Sequence, residues 1–279
     1  DSFTLKEYVN EMGYGEDFLN LYIVPMSSAI WSTPPELMLN FPAKTLLRFF
    51  HNHGFLGMKT QHQWLTPDGG SREYVKRLIE PFSDRIKTEA AVKKIIPEGN
   101  QATVCFSDGN IQKFDKVILA SHADQSLALI DSNEFEILRK FKYQKNTGIL
   151  HTDSSLMPRN KLCWASWNYR IKLDSNGKLT PRTIYWMNNL QGVSDNCDYF
   201  VNINGEEEVN PETIIKKVNF DHPLFDAAAV EAQSKLKELN QKSKTIYLCG
   251  SYFKYGFHED ALNSAIELCE SILKKPLWN

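Results

Sequence analysis

The stretch TIYLCGSYFKYGFHEDALNSAIEL, residues 245–268, decides the fold class. TIYLC is an apolar, β-rich run short enough for an interior strand. Gly250 and Gly256 relax the backbone where the chain must turn or approach another group closely. From His258 the pattern becomes helical, with Leu262, Ala265, Ile266 and Cys269 at three- and four-residue spacing. The N-terminus of such a helix carries unpaired N–H groups and partial positive charge, so it can hold an electron-rich group. Glu259 and Asp260 serve equally well to satisfy the helix dipole and cap the first turn. Strand, glycine turn and long helix together indicate a mixed α/β chain.

Outward from that stretch, the composition sets bounds. The chain has 279 residues, 42% hydrophobic and 24% charged, as ordinary globular proteins do. A formal net charge of −2 gives no electrostatic reason to expect nucleic acid or an anionic membrane surface as partner. The five cysteines form no C-x-x-C pair, and Cys105 and Cys249 sit inside apolar strand patterns as small hydrophobes. A reducing cytoplasm is the expected compartment. No apolar run approaches a membrane span, and the histidines are scattered without metal-ligand spacing, so no metal is expected.

Local signals place the elements. Thr4 and Glu7 form a capping box for a first helix ending near Gly13. A second helix is expected over about 16–30, and a third from Pro42 to near Gly54. Ser71 is the expected N-cap of the amphipathic segment SREYVKRLIEPF. AAVKKII, ATVCFSD and FDKVILA read as a β-meander returning to a buried strand, with turn formers at 97–100 and 107–110. Strands are expected near 147–152, 162–169, 182–189 and 198–203, and a helix over 223–239.

An ordered series of landmarks covers nearly the whole chain: IVPMSSAIWSTPPELMLNFPA (23–43), LRFFHNHGFL (47–56), LTPDGGSREYV (65–75), FDKVILASHADQSLAL (114–129), LHTDSSLMP (150–158), ASWNY (165–169), YWMN (185–188) and YGFHEDAL (255–262). With these the chain resembles the flavin-containing amine oxidase superfamily. More narrowly it resembles a bacterial group of FAD/NAD-binding oxidoreductases encoded near cyclopropane-fatty-acid synthases. The resemblance implies the C-terminal part of an FAD domain with a β-meander, interleaved with a substrate domain of mixed sheet plus helices. The expected division is 1–56 and 123–240 for the substrate domain, against 57–122 and 241–279 for the FAD domain.

The same resemblance implies the site. The backbone at Phe257, His258 and Glu259, with Gly256 and Asp260 beside it, would face the flavin pyrimidine edge. Gly250 and Ser251 would lie by the ribityl chain, although the superfamily often has Gly-Glu there. Val92 matches the position that meets adenine, and Ala120 and Ser121 end a strand whose C-terminus faces a ligand. Gly69 and Gly70 either pass beneath the isoalloxazine or form a plain turn. Trp31, Trp64, Trp167, Tyr169, Tyr185 and Trp186 are the candidate aromatic walls of an apolar-substrate pocket. Asn146 and His151 are the polar candidates for a catalytic role.

The G-x-G-x-x-G turn that carries the FAD pyrophosphate in such enzymes does not occur; Gly13-Tyr14-Gly15 lacks the third glycine and follows a helical segment. The expectation is therefore an FAD-dependent oxidoreductase acting on an apolar, lipid-like substrate, present here without its opening dinucleotide-binding unit and with little or no bound FAD. Either the N-terminus is truncated or the chain is a remnant that no longer uses flavin. A groove left exposed would favour a homodimer. The alternative is a non-catalytic domain that binds a hydrophobic ligand or partner.

Overall fold

The structure, a computed structural model, describes residues 3–31, 33–130, 132–173 and 179–278. Ten strands are described: β1 (Val92–Glu98), β2 (Gln101–Phe106), β3 (Ile111–Phe114), β4 (Val117–Leu119), β5 (Lys142–His151), β6 (Trp167–Leu173), β7 (Leu179–Trp186), β8 (Phe200–Ile203), β9 (Ile214–Leu224) and β10 (Ile246–Leu248). With the helices between them they form a mixed α/β fold of two compact units. One holds Asp1–Ser83 and Gln144–His222, the other Asp84–Tyr143 and Pro223–Asn279.

The first unit opens on a helical layer. Thr4 accepts the Glu7 N–H at 3.2 Å and Glu7 accepts the Thr4 N–H at 2.8 Å, so the expected capping box starts the helix Leu5–Glu11. The helical segment 16–31 follows, interrupted by a π-helical turn at Leu19–Ile23. Pro25 accounts for the interruption: it has no N–H to give and its ring crowds the preceding turn, and the Val24 N–H reaches back to the Leu19 carbonyl instead. A short helix, Pro35–Met38, precedes Ala43–Asn52, whose N-cap is Pro42. Gly70, with φ 85°, caps the helix Ser71–Ile79, and Ser71 is its first residue. That corrects the expected Ser71 cap: a residue at positive φ must end the preceding turn, and glycine adopts it without steric cost.

The sheet of this unit runs β6-β7-β8-β5-β9, all but the ends of β5 and β9 lying within it. β9 carries no clear strand signal because it is an edge, with Lys216 and Lys217 near its start and Pro223 one residue before its end, as edges that avoid further pairing are. The Phe220 ring passes over Gly148 of β5, where an added Cβ would meet it at 3.0 Å. Asn188, expected to extend β7, instead lies in the helix Met187–Gln191.

In the second unit β1, β2 and β3 form the antiparallel meander, with Glu98 opposite Gln101 across the first turn. The expected third strand is divided. Ile111–Phe114 closes the meander, while Val117–Leu119 turns away to pair in parallel with β10. Ile118 within it is 46% exposed, so this is not the wholly buried strand its apolar run suggests. One core joins Ile95, Val104 and Leu119 to Phe135 and Leu138, to Ala229 and Leu236 of the helix Ala227–Lys242, and to Leu248. The two compact units part at 83, 143 and 222. The apolar faces of 133–140 and 227–242 are buried against the meander and β10, and burial rather than chain order groups them.

Candidate functional site

Two places in the molecule carry the features of a site, one in each unit. In the second unit β4 and β10 run in parallel with Leu119 opposite Leu248, so Ala120–Ser121 and Cys249–Gly250 leave the same sheet edge. The Cys249 N–H donates to the Leu119 carbonyl at 3.1 Å. Asn240 clamps Leu248 through both its backbone N–H and its carbonyl, each at 2.8 Å. Gln233 donates to the carbonyls of Tyr252 and Lys254. The exit from β10 is thereby fixed by side chains of the helix beneath it.

The Gly250 N–H donates to Ser264 Oγ at 2.8 Å, and a Cβ at Gly250 would meet the Tyr252 ring at 2.7 Å. Gly256, at φ 94°, presses the Phe225 ring, 2.9 Å from where its Cβ would stand. Both glycines are required by the chain's own rings. The Asp260 carboxylate, 7% exposed, accepts the N–H groups of Tyr255 at 3.2 Å and Phe257 at 3.0 Å. Burial raises its pKa, and the two N–H bonds pull it back. Asp260 thus holds the turn from inside and does not present its carboxylate outward. His258 and Glu259 are exposed at the start of the helix His258–Leu273.

The other cofactor candidates divide. Ser121 Oγ lies 2.9 Å from Ser126 Oγ, Ala120 is exposed, and Val92 is partly buried opposite Phe106. Gly69 and Gly70 belong to the first unit, where φ values of 78° and 85° and a Gly70 N–H bond to the Pro67 carbonyl at 2.9 Å make them a turn before a helix.

In the first unit the strand register builds an aromatic wall. Trp167 pairs with Tyr185, Tyr169 with Thr183 and Ile171 with Pro181, and alternation puts all six on one face of the β6–β7 ladder. The helical segment 16–31 covers that face and leaves two small cavities. One, of about 160 Å³, is lined by Tyr22, Pro25, Met26, Trp167, Tyr169 and Thr183 among others. The second, about 230 Å³, is lined by Asn20, Val24, Glu36, Tyr169, Ile171 and Pro181 among others. Trp64 stands 5.8 Å from Trp167, and Tyr185 meets the Trp167 ring edge-on at 5.9 Å. Burial pushes the Tyr169 phenol up to about 12 and raises that of Tyr185, so both are protonated at neutral pH.

Two of the expected wall residues lie elsewhere. Trp31 is 5% exposed and packs between Phe41 and Phe49 at 4.7 and 5.2 Å, in the core of the helical layer. Trp186 follows Tyr185 and therefore points to the opposite sheet face, where its indole donates to Asp198 at 2.8 Å and meets Trp164 edge-on. Tyr22, Pro25 and Met26 were not anticipated. Their helix is apolar on every side, so periodicity does not select a face; the mid-helix proline, with the π turn it forces, was the available signal.

The polar candidates are structural. His151 is fully buried: the Asp153 N–H donates to Nδ1 at 3.1 Å, so Nε2 carries the proton and donates to Asn202 Oδ1 at 3.1 Å. Burial lowers its pKa, and both ring nitrogens are used. Asn146, 4% exposed, accepts from Asn204 at 2.7 Å and donates to His222 Nδ1 at 3.0 Å. Neither opens onto the wall.

Residues 7–181 match the family model for flavin containing amine oxidoreductase. The chain belongs to that family. Solved structures agree at the level of the fold. Reduced UDP-galactopyranose mutase is 15% identical, covering 96% of this chain and 67% of its own, with a TM-score of 0.62. A CLA-producing fatty acid isomerase from P. acnes is 10% identical, with coverages of 98% and 66% and the same TM-score. Putrescine oxidase bound to putrescine is 12% identical, with coverages of 75% and 54% and a TM-score of 0.51. The chain thus spans about two thirds of the first two proteins and about half of the third. No curated protein matches the chain in sequence. The family's flavin suits the donors of the second unit. The first turn of His258–Leu273 offers backbone N–H donors to electron-rich ring atoms. Ser251, partly exposed beside the parallel strand ends, supplies a hydroxyl.

Proposed function

We propose that the chain forms the flavin-edge turn and the substrate wall of an FAD-dependent oxidoreductase of the amine-oxidase fold that acts on an apolar substrate. The observation that carries the reading is the wall itself: an aromatic strand face beneath a helix, in a chain of a flavin-containing family. His258 and Glu259 would hold the pyrimidine edge through their backbone N–H groups, Ser251 would meet the ribityl chain, and Asp260, which takes up the Phe257 N–H, fixes the turn that aims them. FAD, when bound, would supply the redox chemistry, accepting hydride from a substrate carbon. Trp167, Tyr169 and Tyr185 orient the substrate and exclude water; the two phenols, protonated at neutral pH, act as hydrogen-bond donors and not as bases.

The narrower relationship we propose is to the bacterial oxidoreductases encoded near cyclopropane-fatty-acid synthases, working in a reducing cytoplasm with all five cysteines free. The 279 residues contain no G-x-G-x-x-G turn, and we expect them alone to hold little FAD. The test is the absorption spectrum of the product of the complete coding sequence, followed by anaerobic titration with apolar substrates. Flavin bands that bleach on titration are expected. A colourless product that still binds apolar ligands would replace the oxidoreductase reading with the non-catalytic binding domain.

A further inference from the structure

The two cavities on the wall share one lining residue, Tyr169. The 160 Å³ cavity lies on the Trp167–Thr183 side of it, the 230 Å³ cavity on the Ile171–Pro181 side. Neither alone reaches the ~300 Å³ at which small-molecule sites begin, and joined they exceed it. We propose that Tyr169 is a movable partition, and that its displacement opens one narrow groove that takes an unbranched alkyl chain, entering tail-first from the Leu21–Tyr22 side. The proposal rests on the reading of this face as the substrate pocket and names the substrate's shape.

Three observations support it. Ser28, 5% exposed, has the Tyr169 phenol within hydrogen-bonding reach, but the two hydroxyls do not form a well-aligned bond. A bond this poorly aligned holds the phenol weakly, so the ring can trade it for a second resting position at little cost. The joined path follows β6 from Trp167 to Ile171, about 13 Å at the strand rise, which is long for its volume and suits a single chain more than a fused ring system. No Lys, Arg or His lines either cavity among the described residues, so a ligand's anionic end would find no partner inside and stays at the mouth. Leu21 and Tyr22, 64% and 43% exposed, mark that mouth.

The test is a calorimetric titration of the 279-residue chain with hexanol, octanol, decanol and dodecanol, and with a decalin alcohol as the compact comparator. Affinity should rise about fourfold per added methylene, the burial value for one CH₂, and the decalin alcohol should bind no better than octanol. Ile171→Trp fills the far cavity and should leave hexanol unchanged while abolishing the gain from octanol to dodecanol. Should that variant fail to fold, Ile171→Phe reads the same effect in smaller measure. Tyr169→Ala removes the partition and should keep the full length dependence. Affinity flat across the series, or the same length dependence in wild type and in the Ile171 variant, would overturn the proposal. The titration needs no flavin, so a colourless complete protein would end the oxidoreductase reading and leave this one standing.

Discussion

Between Gly250 and Asp260 the second unit presents backbone, whereas along Trp167–Ile171 the first presents rings. The turn is held by the protein's own side chains, buried Ser264 on Gly250, partly buried Gln233 on Tyr252 and Lys254, and buried Asp260 on Tyr255 and Phe257. The donors at the start of its helix are main-chain N–H groups, so its geometry matters more than the identity of the exposed His258 and Glu259 side chains. The wall is the reverse. Its backbone is an ordinary antiparallel ladder, and its character comes from side chains that the register brings to one face. Substitutions in the turn should therefore register as lost stability, and substitutions in the wall as lost binding.

The sharpest break of that contrast is Gly256→Ala. The new Cβ combines a φ of 94° with a 2.9 Å approach to the Phe225 ring, and we expect a loss of about 2–3 kcal/mol in urea unfolding. Wild-type stability would show that the turn yields. Next is Asp260→Ala, which strands the Tyr255 and Phe257 N–H groups at a cost of about 2 kcal/mol. Asp260→Asn keeps an acceptor and removes a buried charge, so it should cost less than half as much at neutral pH. The Asp260 pKa is raised in the folded state, so its contribution is full below the unfolded value of ~3.9 and declines as pH rises through the folded value. The advantage of Asn should accordingly shrink in acid; an advantage that grows in acid would contradict the assigned burial.

A smaller stability change is expected at Trp167→Ala. The ring is half-buried, so the loss should be about 1 kcal/mol, against ~3–5 for a sealed aromatic, while octanol affinity falls about tenfold. Equal octanol affinity in the two proteins would remove Trp167 from the wall. The smallest effect concerns the sheet behind the wall. His151 is buried neutral with a lowered pKa, so its contribution is present above the unfolded value of ~6.5 and is lost as pH falls through the lower folded value. His151→Gln should flatten the decline in stability on mild acidification, read by thermal melts across that range.

Much of the fold follows from local chemistry. The Thr4–Glu7 box, the turn formers between β1, β2 and β3, and the strand–turn–helix at 245–268 act within a few residues, and they form where their chemistry places them. What local chemistry leaves open is partnership. FDKVILA is divided because Val117–Leu119 pairs with a strand about 130 residues later, which no local pattern records. β9 gives no alternating pattern because an edge strand, exposed over most of its length, needs no apolar face.

The candidate site follows the same division. Trp167, Tyr169 and Tyr185 share a face because strand alternation and register agree. Tyr185 and Trp186 are equally aromatic and adjacent, yet one lines the wall and the other packs on Asp198 and Trp164 behind it. Only the pleat assigns their sides. His151 and Asn146 carry reactive-looking groups, and it is Asn202, Asp153, Asn204 and His222, brought in from other segments, that use up their hydrogen-bonding capacity.

By itself the sequence determined the family, the helix starts, the meander turns and the glycine turn before the closing helix, because capping, turn and periodicity forces act over a few residues. The tertiary structure alone decided which aromatic residues form a wall, which polar groups are spent on one another, and that Tyr169 divides two cavities. Those outcomes depend on burial and pairing between segments distant in the chain.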